Sequence, residues 1–246
     1  MNFLRRLPYI FFPARCCVCD KVIGPGEDIC RDCGRLVIRY PVKKAYCSVC
    51  GIEYENCSCG KRLLYAKLAA PFFYEGDVKR ALHRFKFRGR TDLAAPFAKR
   101  MADALRERDM LKEIDVITFI PMRKKAKFDR GYNQSEMLAD TIGELTGLPV
   151  KQLLFKAVKT PKQHSLGMRR RKGNVLGAFE PLPDITGDIK GKKILVVDDI
   201  VTTGSTLNET AKTLLIFGAE QVYAAAAAQG KKRKTKNGKN AQNPPV

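Results

Sequence analysis

The sequence lacks an apolar run of the roughly 18 to 20 residues that a bilayer-spanning helix needs, so no transmembrane segment is expected. The opening stretch, MNFLRRLPYIFFPARCC, holds a short apolar patch but neither the long apolar region nor the small-residue cleavage site of an export signal. These two absences predict a cytoplasmic protein.

Acidic residues are scarce: 25 Asp and Glu stand against 46 Lys and Arg, which leaves a formal net charge of +21. A surplus of this size attracts polyanions, either nucleic acid or phosphorylated small molecules, although a generally basic, solvated surface is the alternative. Clustering of the basic residues favours nucleic acid. With 246 residues and 45% hydrophobic composition, the chain is long enough for one globular domain plus a smaller module.

Histidine is also scarce, and neither of the two copies is expected to act in catalysis. His83 lies in a basic amphipathic stretch, and His164 lies in an expected loop.

Cysteine, by contrast, is concentrated at the start of the chain, where all nine copies precede residue 60. Eight of them form close pairs: Cys16 with Cys19, Cys30 with Cys33, Cys47 with Cys50, and Cys57 with Cys59. Thiols stay reduced in a cytosolic protein, so metal binding is a better interpretation than disulfides. The remaining thiol, Cys17, is interpreted as a spare.

The spacing of these pairs is typical of zinc. A Cys-x-x-Cys turn places two thiolates on one side, and two such turns complete the tetrahedral sulfur shell that zinc prefers. We expect one site from Cys16, Cys19, Cys30 and Cys33 and a second from Cys47, Cys50, Cys57 and Cys59. The second prediction is weaker because Cys57 and Cys59 are separated by one residue. Interleaved pairing, redox pairs and free thiols stay open as alternatives.

After residue 65 the pattern becomes that of an α/β domain. Helices are predicted over 76–108, with a break near Gly89, over 135–147 and over 205–218; strands are predicted over 115–121, 150–155, 192–199 and 221–228. Their alternation predicts a largely parallel sheet with helices on its faces. We expect a zinc-ribbon module with a short apolar start at 1–62, the α/β domain at 63–230, and a basic disordered tail at 231–246.

The stretch ILVVDDIVTTGST, residues 194–206, predicts a ligand site. The strand delivers Asp198 and Asp199 to the carboxyl edge of the sheet, where they are expected to face solvent and ligand. The following loop offers backbone N–H groups and hydroxyls at a helix N-terminus, which suits a phosphate. It is not a Walker A loop, because it lacks the Gly-Lys-Ser/Thr ending. A ribose 5-phosphate fits both features.

VVDDIVTTGST resembles the phosphoribosyl-pyrophosphate motif of type I phosphoribosyltransferases. FDRGYNQSEMLA, QHSLGMRRRKGNVLGAF and the cysteine-rich start resemble the ComF family, and the resemblance extends to about Gly230. It implies an α/β sheet of the type I phosphoribosyltransferase kind behind a double zinc ribbon. It also implies handling of single-stranded DNA during natural transformation, together with other competence proteins such as a DNA helicase.

The resemblance also implies residue roles. Asp198 and Asp199 would accept hydrogen bonds from the ribose hydroxyls, and the 5-phosphate would lie in a cradle of Thr202, Thr203, Gly204, Ser205 and Thr206. Arg123 and Lys124 would lie in the pyrophosphate loop, and magnesium would bridge pyrophosphate and ribose. A loop over 160–174 would bring Arg169, Arg170 and Arg171 to the leaving group, although a solvated loop is the alternative.

Catalysis by such a site would depend on Asp198, Asp199 and Arg169. Displacement of pyrophosphate from ribose C1 develops positive charge on the sugar, so it requires neutralisation of the leaving group and exclusion of water but no protein nucleophile. No part of the sequence identifies the acceptor, so transfer chemistry stays open.

Two segments, KRALHRFKFRGR and MRKKAKFDRGYNQ, interleave aromatic rings with cations. Cations track phosphates and aromatic faces stack on unpaired bases, so these segments predict a single-stranded DNA surface. Its expected residues are Arg84, Lys86, Phe87, Arg88, Arg90, Lys125 and Arg130. One alternative is that the rings, Phe85 and Phe87 among them, belong to a core beneath a basic rim. Another is a metabolic phosphoribosyltransferase whose basic surface is incidental.

Overall fold

The structure, a computed structural model, describes residues 13–38, 47, 49, 57, 63–156, 178–183 and 185–230. Several predicted features lie outside the described residues: the apolar start, Cys50, Cys59, the loop over 160–174 with His164, Arg169, Arg170 and Arg171, and the tail over 231–246.

The secondary structure follows the predicted alternation of helices and strands. The strands are β1 (Leu68–Ala69), β2 (Phe72–Phe73), β3 (Val116–Phe119), β4 (Leu154–Lys156), β5 (Phe179–Pro181), β6 (Lys193–Val201) and β7 (Gln221–Gln229). The helices are α1 (Arg31–Gly34), α2 (Gly76–Phe87), α3 (Ala94–Glu107), α4 (Lys124–Arg130), α5 (Gln134–Thr146), α6 (Thr186–Ile189) and α7 (Ser205–Ile216).

Within the described residues, five strands form one sheet in which every pairing is parallel. β6 pairs with β3 on one side and with β7 on the other, and both β1 and β2 pair with β7. The predicted α/β class with a largely parallel sheet is therefore confirmed. The buried runs of β6 and β7 are nearly continuous, as expected for strands covered on both faces.

Helices cover both faces of this sheet. On one face Leu195 packs in the same core as Phe97 of α3 and Leu138 of α5. On the other face Val196 packs with Leu207 of α7. β7 contains five consecutive alanines, a residue with weak strand preference, so burial between the two helix layers stabilises it more than propensity does.

The predicted helix boundaries are confirmed where glycine sets them. Gly89 has a φ of +64° and separates α2 from the 3₁₀ turn Thr91–Leu93 that leads into α3. Gly147 ends α5 with a φ of +74°, and its N–H donates to the carbonyl of Gly143.

The strand predicted over 150–155 was wrong as a member of the main sheet. Val150 makes only an isolated bridge to Ile117, and the extended stretch begins at Leu154. β4 pairs with β5 in a separate antiparallel ladder. The short apolar run that ends VKQLLF fits both arrangements, so the sequence pattern alone does not choose the partner.

The first cysteine pairs lie in a loop that packs against α2 and α3. Cys16, Cys17 and Val18 are buried in the same core cluster as Phe85 and Phe97. Polar contacts flank this packing: Arg84 donates to the carbonyl of Val18 at 2.9 Å, Arg90 pairs with Asp20 at 3.2 Å, and Lys99 pairs with Asp28 at 2.8 Å. Within the part of the chain that the structure describes, no helix has the length and apolar character to cross a membrane.

Candidate functional site

The two adjacent carboxylates lie inside β6 and not beyond its end. β6 continues to Val201, and Asp198 and Asp199 are 8% and 9% exposed. The expectation that they face solvent at the strand mouth is therefore wrong. β6 runs two residues further than predicted, and side chains of α2 and α5 contact the pair.

The two carboxylates have different partners. Asp198 Oδ1 accepts the hydroxyl of Ser135 at 3.1 Å and the backbone N–H of Asp199 at 2.8 Å. Asp199 Oδ2 lies 3.6 Å from the ammonium of Lys86, which belongs to α2. One carboxylate is thus held by neutral donors from α5 and its own strand, and the other faces a cation.

Burial, and then the negative charge of Asp199, raise the pKa of Asp198 well above its usual range. The hydrogen bonds from Asp199 N–H and Ser135 act in the opposite direction and do not compensate. Keeping both carboxylates ionised therefore costs free energy in the ligand-free protein. A ligand that brings hydroxyl donors or a cation to the pair would relieve that cost.

The hydroxyl-rich loop follows β6 directly and begins α7. Thr202, Thr203, Ser205 and Thr206 are exposed, whereas Gly204 is buried. Thr203 Oγ1 accepts the N–H of Ser205 at 3.3 Å and lies 2.7 Å from its hydroxyl. Successive N–H groups and hydroxyls at the start of a twelve-residue helix form a phosphate-binding arrangement.

Gly204 is required in this loop for two reasons. Its φ is +76°, a left-handed conformation that side chains disfavour. A Cβ at this position would lie 3.0 Å from Tyr65 Oη. The close approach of Tyr65 fixes the loop against the segment that precedes β1.

Arg123 and Lys124 lie at the same edge of the sheet as the acidic pair. β3 runs parallel to β6 with Phe119 opposite Val197, so the chain leaves β3 beside Asp198. Both side chains are exposed, at the start of a short helix, α4, that was not predicted.

The basic and aromatic residues of α2 and α4 converge on Phe87, which is 59% exposed. The guanidinium of Arg130 lies 5.3 Å from the centre of its ring, Lys86 Nζ lies 5.9 Å away, and the ring of His83 lies 4.7 Å away. We refer to His83, Lys86, Phe87 and Arg130 as the Phe87 platform. It offers one exposed aromatic face flanked by cations.

The neighbouring ring of Phe85 is fully buried and belongs to the core. For this ring, the interpretation as a core residue beneath a basic rim is the correct one. Phe128, in the second basic segment, is 89% exposed. Phe85 and Phe87, two residues apart in α2, thus point their rings in opposite senses.

The other residues expected to bind DNA divide into two groups. Arg88 and Lys125 are exposed. Arg84 and Arg90 instead bind the cysteine loop, and Arg90 also pairs with Asp92 through bonds of 2.8 and 2.9 Å. The bond to Asp92 raises the pKa of Arg90 above its usual value. These contacts give Arg84 and Arg90 a structural role.

The segment GYNQS, residues 131–135, has a polar role that its sequence pattern did not predict. Asn133, Gln134 and Ser135 are at most 5% exposed. Gln134 Oε1 accepts Arg130 at 2.7 Å, and Gln134 Nε2 donates to the carbonyl of Lys86 at 3.5 Å. The available signal was the run of three polar residues at the start of the helix predicted over 135–147, because polar groups that become buried need specific partners.

The first four paired cysteines meet as predicted. The sulfur atoms of Cys16, Cys19, Cys30 and Cys33 all lie within 4.8 Å of one another, and those of Cys19 and Cys30 are 3.7 Å apart. Tetrahedral bonds of about 2.3 Å to zinc would place sulfurs about 3.8 Å apart, so the group fits one zinc ion. The donor set is all sulfur, which favours zinc over magnesium or calcium.

The pKa values of the thiols in this group shift in different directions, because burial raises those of Cys19 and Cys33 whereas that of Cys16 is lowered. Burial opposes ionisation of Cys16, but hydrogen bonds from the backbone at Cys19, Cys30 and Val18 prevail and lower its pKa to about 7. Cys17 lies outside the group, and burial raises its pKa to about 12. Of the second predicted set, Cys47 and Cys57 pack in one small cluster with Val49. The second zinc site stays a prediction, because its other two cysteines are not described.

Comparison with known proteins adds a family match. The family described as "Phosphoribosyl transferase domain" matches residues 91–243. Among solved structures, the allosteric regulatory enzyme of purine biosynthesis aligns with 59% of this chain and 30% of its own length, at 20% identity and a TM-score of 0.40, which is too weak to carry an argument.

Curated relatives match along most of the chain. The DNA utilization protein YhgH of Salmonella typhimurium is 29% identical over 222 residues, covering 85% of this chain and 94% of that protein. Competence protein F of Haemophilus influenzae is 28% identical over 223 residues, 86% of this chain and 95% of that one. Competence protein ComFC of Bacillus subtilis is 26% identical over 215 residues, 80% and 82% respectively.

Proposed function

The chain belongs to the phosphoribosyl transferase domain family, its relatives bear out the resemblance to the ComF family, and on that premise we propose a competence factor that binds single-stranded DNA and phosphoribosyl pyrophosphate. The observation that carries this proposal is the path of the chain from β6 into the start of α7. It leads from Asp198 and Asp199 straight into a loop of hydroxyls at the N-terminus of α7.

Each part of this segment, the acidic pair and the hydroxyl loop, has a proposed partner on the ligand. Asp198 and Asp199 accept hydrogen bonds from the ribose 2- and 3-hydroxyls, and the loop over 202–206 donates N–H and hydroxyl groups to the 5-phosphate. Arg123 and Lys124, exposed at the same edge, neutralise the pyrophosphate. Lys86, whose ammonium lies 3.6 Å from Asp199 Oδ2, shares that carboxylate with the ribose.

The residues present also fit a magnesium-dependent ligand. Burial, together with the negative charge of Asp199, raises the pKa of Asp198, so a nearby cation would stabilise the ionised pair. Magnesium, held mainly by ligand oxygens and water, would supply charge neutralisation of the pyrophosphate when it is bound. The protein groups hold the sugar and its 5-phosphate.

Transfer of the phosphoribosyl group to an acceptor, with release of pyrophosphate, is a separate proposal from binding. If displacement at ribose C1 occurs, Asp198 and Asp199 orient the sugar, and Arg169, in the loop over 160–174, assists departure of the leaving group. No nucleophilic side chain is needed. The reaction would be measured as pyrophosphate release with and without DNA and with a panel of bases as acceptors.

The DNA proposal is supported by the Phe87 platform and by the names of the relatives. An exposed ring between two cations is the arrangement that stacks an unpaired base and holds its phosphates. One relative is named a DNA utilization protein and two are named competence proteins. We further propose a cytoplasmic location, one zinc ion at Cys16, Cys19, Cys30 and Cys33, a second at the later cysteines, and partners among other competence proteins such as a DNA helicase.

The second candidate function is a metabolic phosphoribosyltransferase acting on a nucleobase or related acceptor. The family match favours it, since it concerns the domain and not DNA. A purely metabolic function does not explain the Phe87 platform or the cysteine group.

Two binding assays on the zinc-loaded full chain test the proposal. Isothermal titration calorimetry with phosphoribosyl pyrophosphate and magnesium should show saturable binding, which ribose 5-phosphate weakens by competition. Fluorescence anisotropy with a labelled oligothymidine of about twenty nucleotides should show binding that falls with salt, by about 0.7 log units per tenfold salt for each phosphate neutralised. Absence of oligonucleotide binding at low salt would return the protein to the metabolic class.

A further inference from the structure

Lys86 belongs to both proposed binding surfaces. Its ammonium lies 3.6 Å from Asp199 Oδ2 and 5.9 Å from the ring centre of Phe87. The side chain is 34% exposed, so it is only partly buried. One cation therefore stands between the ring that would stack a base and the carboxylate that would hold a ribose.

The GYNQS segment, residues 131–135, also contacts both the Phe87 platform and the acidic pair. Gln134 accepts from Arg130 of the Phe87 platform and donates to the carbonyl of Lys86. The next residue, Ser135, donates to Asp198. Tyr132 adds a bond from its hydroxyl to the carbonyl of Phe85, which ties the end of α2 to the start of α5.

We propose that Lys86, whose backbone carbonyl accepts a hydrogen bond from Gln134, makes binding of single-stranded DNA and of phosphoribosyl pyrophosphate mutually antagonistic. This inference rests on the proposed function, since it presumes that both ligands bind. It goes beyond that function by giving the sugar-phosphate site a regulatory role: occupancy releases DNA.

Charge is the physical reason for antagonism. Both ligands are polyanions, and one ammonium cannot neutralise a DNA phosphate beside Phe87 and the phosphates of a sugar held at Asp199 at the same time. Two polyanions that approach within a few ångströms of one lysine also repel each other, and a partly buried site is screened less by salt than an exposed one. By linkage, the factor by which one ligand weakens the other must be the same in both directions.

The test is a reciprocal titration on the zinc-loaded full chain. The Kd of a labelled oligothymidine is measured at increasing phosphoribosyl pyrophosphate, and the Kd of phosphoribosyl pyrophosphate is measured at increasing oligothymidine. Free magnesium is held constant, and sodium sulfate keeps the ionic strength equal. We expect each ligand to weaken the other by about fivefold or more, by the same factor in both directions.

Lys86→Gln separates this mechanism from general charge repulsion. The substitution removes the shared cation and should bring the coupling factor close to one. Lys79→Gln is the matched control, because Lys79 is an exposed lysine of the same helix and its ammonium faces the ring of Tyr74. It removes the same charge and should leave the coupling factor at the wild-type value. Gln134→Ala, which frees Arg130 and the Lys86 carbonyl, should reduce the factor without abolishing either binding.

The outcomes distinguish the inference from the proposed function. If either ligand fails to bind the wild-type protein alone, the proposed function fails. If both bind but neither changes the Kd of the other, or if one strengthens the other, the inference is wrong and the proposed function stands. Equal coupling in Lys86→Gln and Lys79→Gln would also overturn it, since antagonism would then not depend on Lys86.

Discussion

Lys86 of α2 and Asp199 of β6 face each other across 3.6 Å in the ligand-free protein. The lysine comes from a basic and aromatic run, and the aspartate comes from an acidic strand. The two motifs lie far apart in the sequence and by themselves predict separate sites for separate ligands. The ion pair makes the two sites neighbours, so a substitution or a ligand at one site is expected to change binding at the other.

Asp198→Asn should weaken ligand binding and stabilise the ligand-free protein. The variant loses a charge-assisted hydrogen bond to the ribose, worth about 1 kcal/mol or more, while its amide oxygen can still accept Ser135 and Asp199 N–H. Because burial raises the pKa of Asp198, its contribution to stability is present below the unfolded pKa of about 3.9 and is lost as pH rises toward the folded pKa.

The melting temperature of Asp198→Asn should therefore exceed that of the wild type by a margin that grows as pH rises above about 4. Thermal melts across that range, paired with calorimetry of phosphoribosyl pyrophosphate, measure both effects. Asp199→Asn serves as the comparison, because it leaves Lys86 without its carboxylate and should not raise the melting temperature. A margin that shrinks with rising pH would contradict the burial of an uncompensated charge.

Gly204→Ala should damage both stability and ligand binding. The left-handed φ of +76° costs a side chain on the order of 1–2 kcal/mol, and the added Cβ meets Tyr65 Oη at 3.0 Å. Gly187→Ala is the control, since no atom lies within 4 Å of a Cβ there and its φ is not in the left-handed range. Denaturant unfolding and calorimetry should show loss in the first variant only. Equal behaviour of the two would mean that the loop tolerates rearrangement.

Cys30→Ser should release one zinc ion per chain and loosen the cysteine loop. The sulfur of Cys30 is 3.7 Å from that of Cys19, and structural zinc contributes folding free energy directly. Cys17→Ala is the control, because the Cys17 sulfur is outside the group and should leave metal content unchanged. Mass spectrometry of metals gives the counts. The wild type should hold close to two zinc ions if the second site exists, and a well-folded protein without zinc would end this interpretation.

Phe87→Ala should lower affinity for single-stranded DNA by about 1–3 kcal/mol with little change in salt dependence, because a ring contributes stacking and no charge. Arg88→Ala should instead flatten the salt dependence by about 0.7, the value for one phosphate contact on a single strand. Phe128→Ala is the matched aromatic control, since Phe128 is even more exposed but lies outside the Phe87 platform. An equal loss for Phe128→Ala would show that the platform is not the stacking site. Anisotropy titrations at several salt concentrations measure all three variants.

Local patterns predicted much of the fold. The helix that begins at Ser205, the break at Gly89 and the cap at Gly147 all agree with the structure, because capping, glycine conformation and helical spacing depend on residues close in sequence. The strand predicted over 150–155 was wrong as a member of the main sheet because a short apolar run does not identify the strand with which it pairs. The role of Gln134 and Ser135 was missed because each acts on residues far along the chain.

By itself, the sequence determined the chemical inventory of this protein: four thiols at zinc spacing, two carboxylates ahead of a hydroxyl loop, and a surplus of cations around aromatic rings. These features follow from residue type and spacing along the chain. Only the tertiary structure decided that Asp198 is buried against Ser135, that Phe85 belongs to the core while Phe87 stays exposed, and that Lys86 faces Asp199. Burial and ion pairing depend on which elements pack together, and that packing joins residues that no local pattern connects.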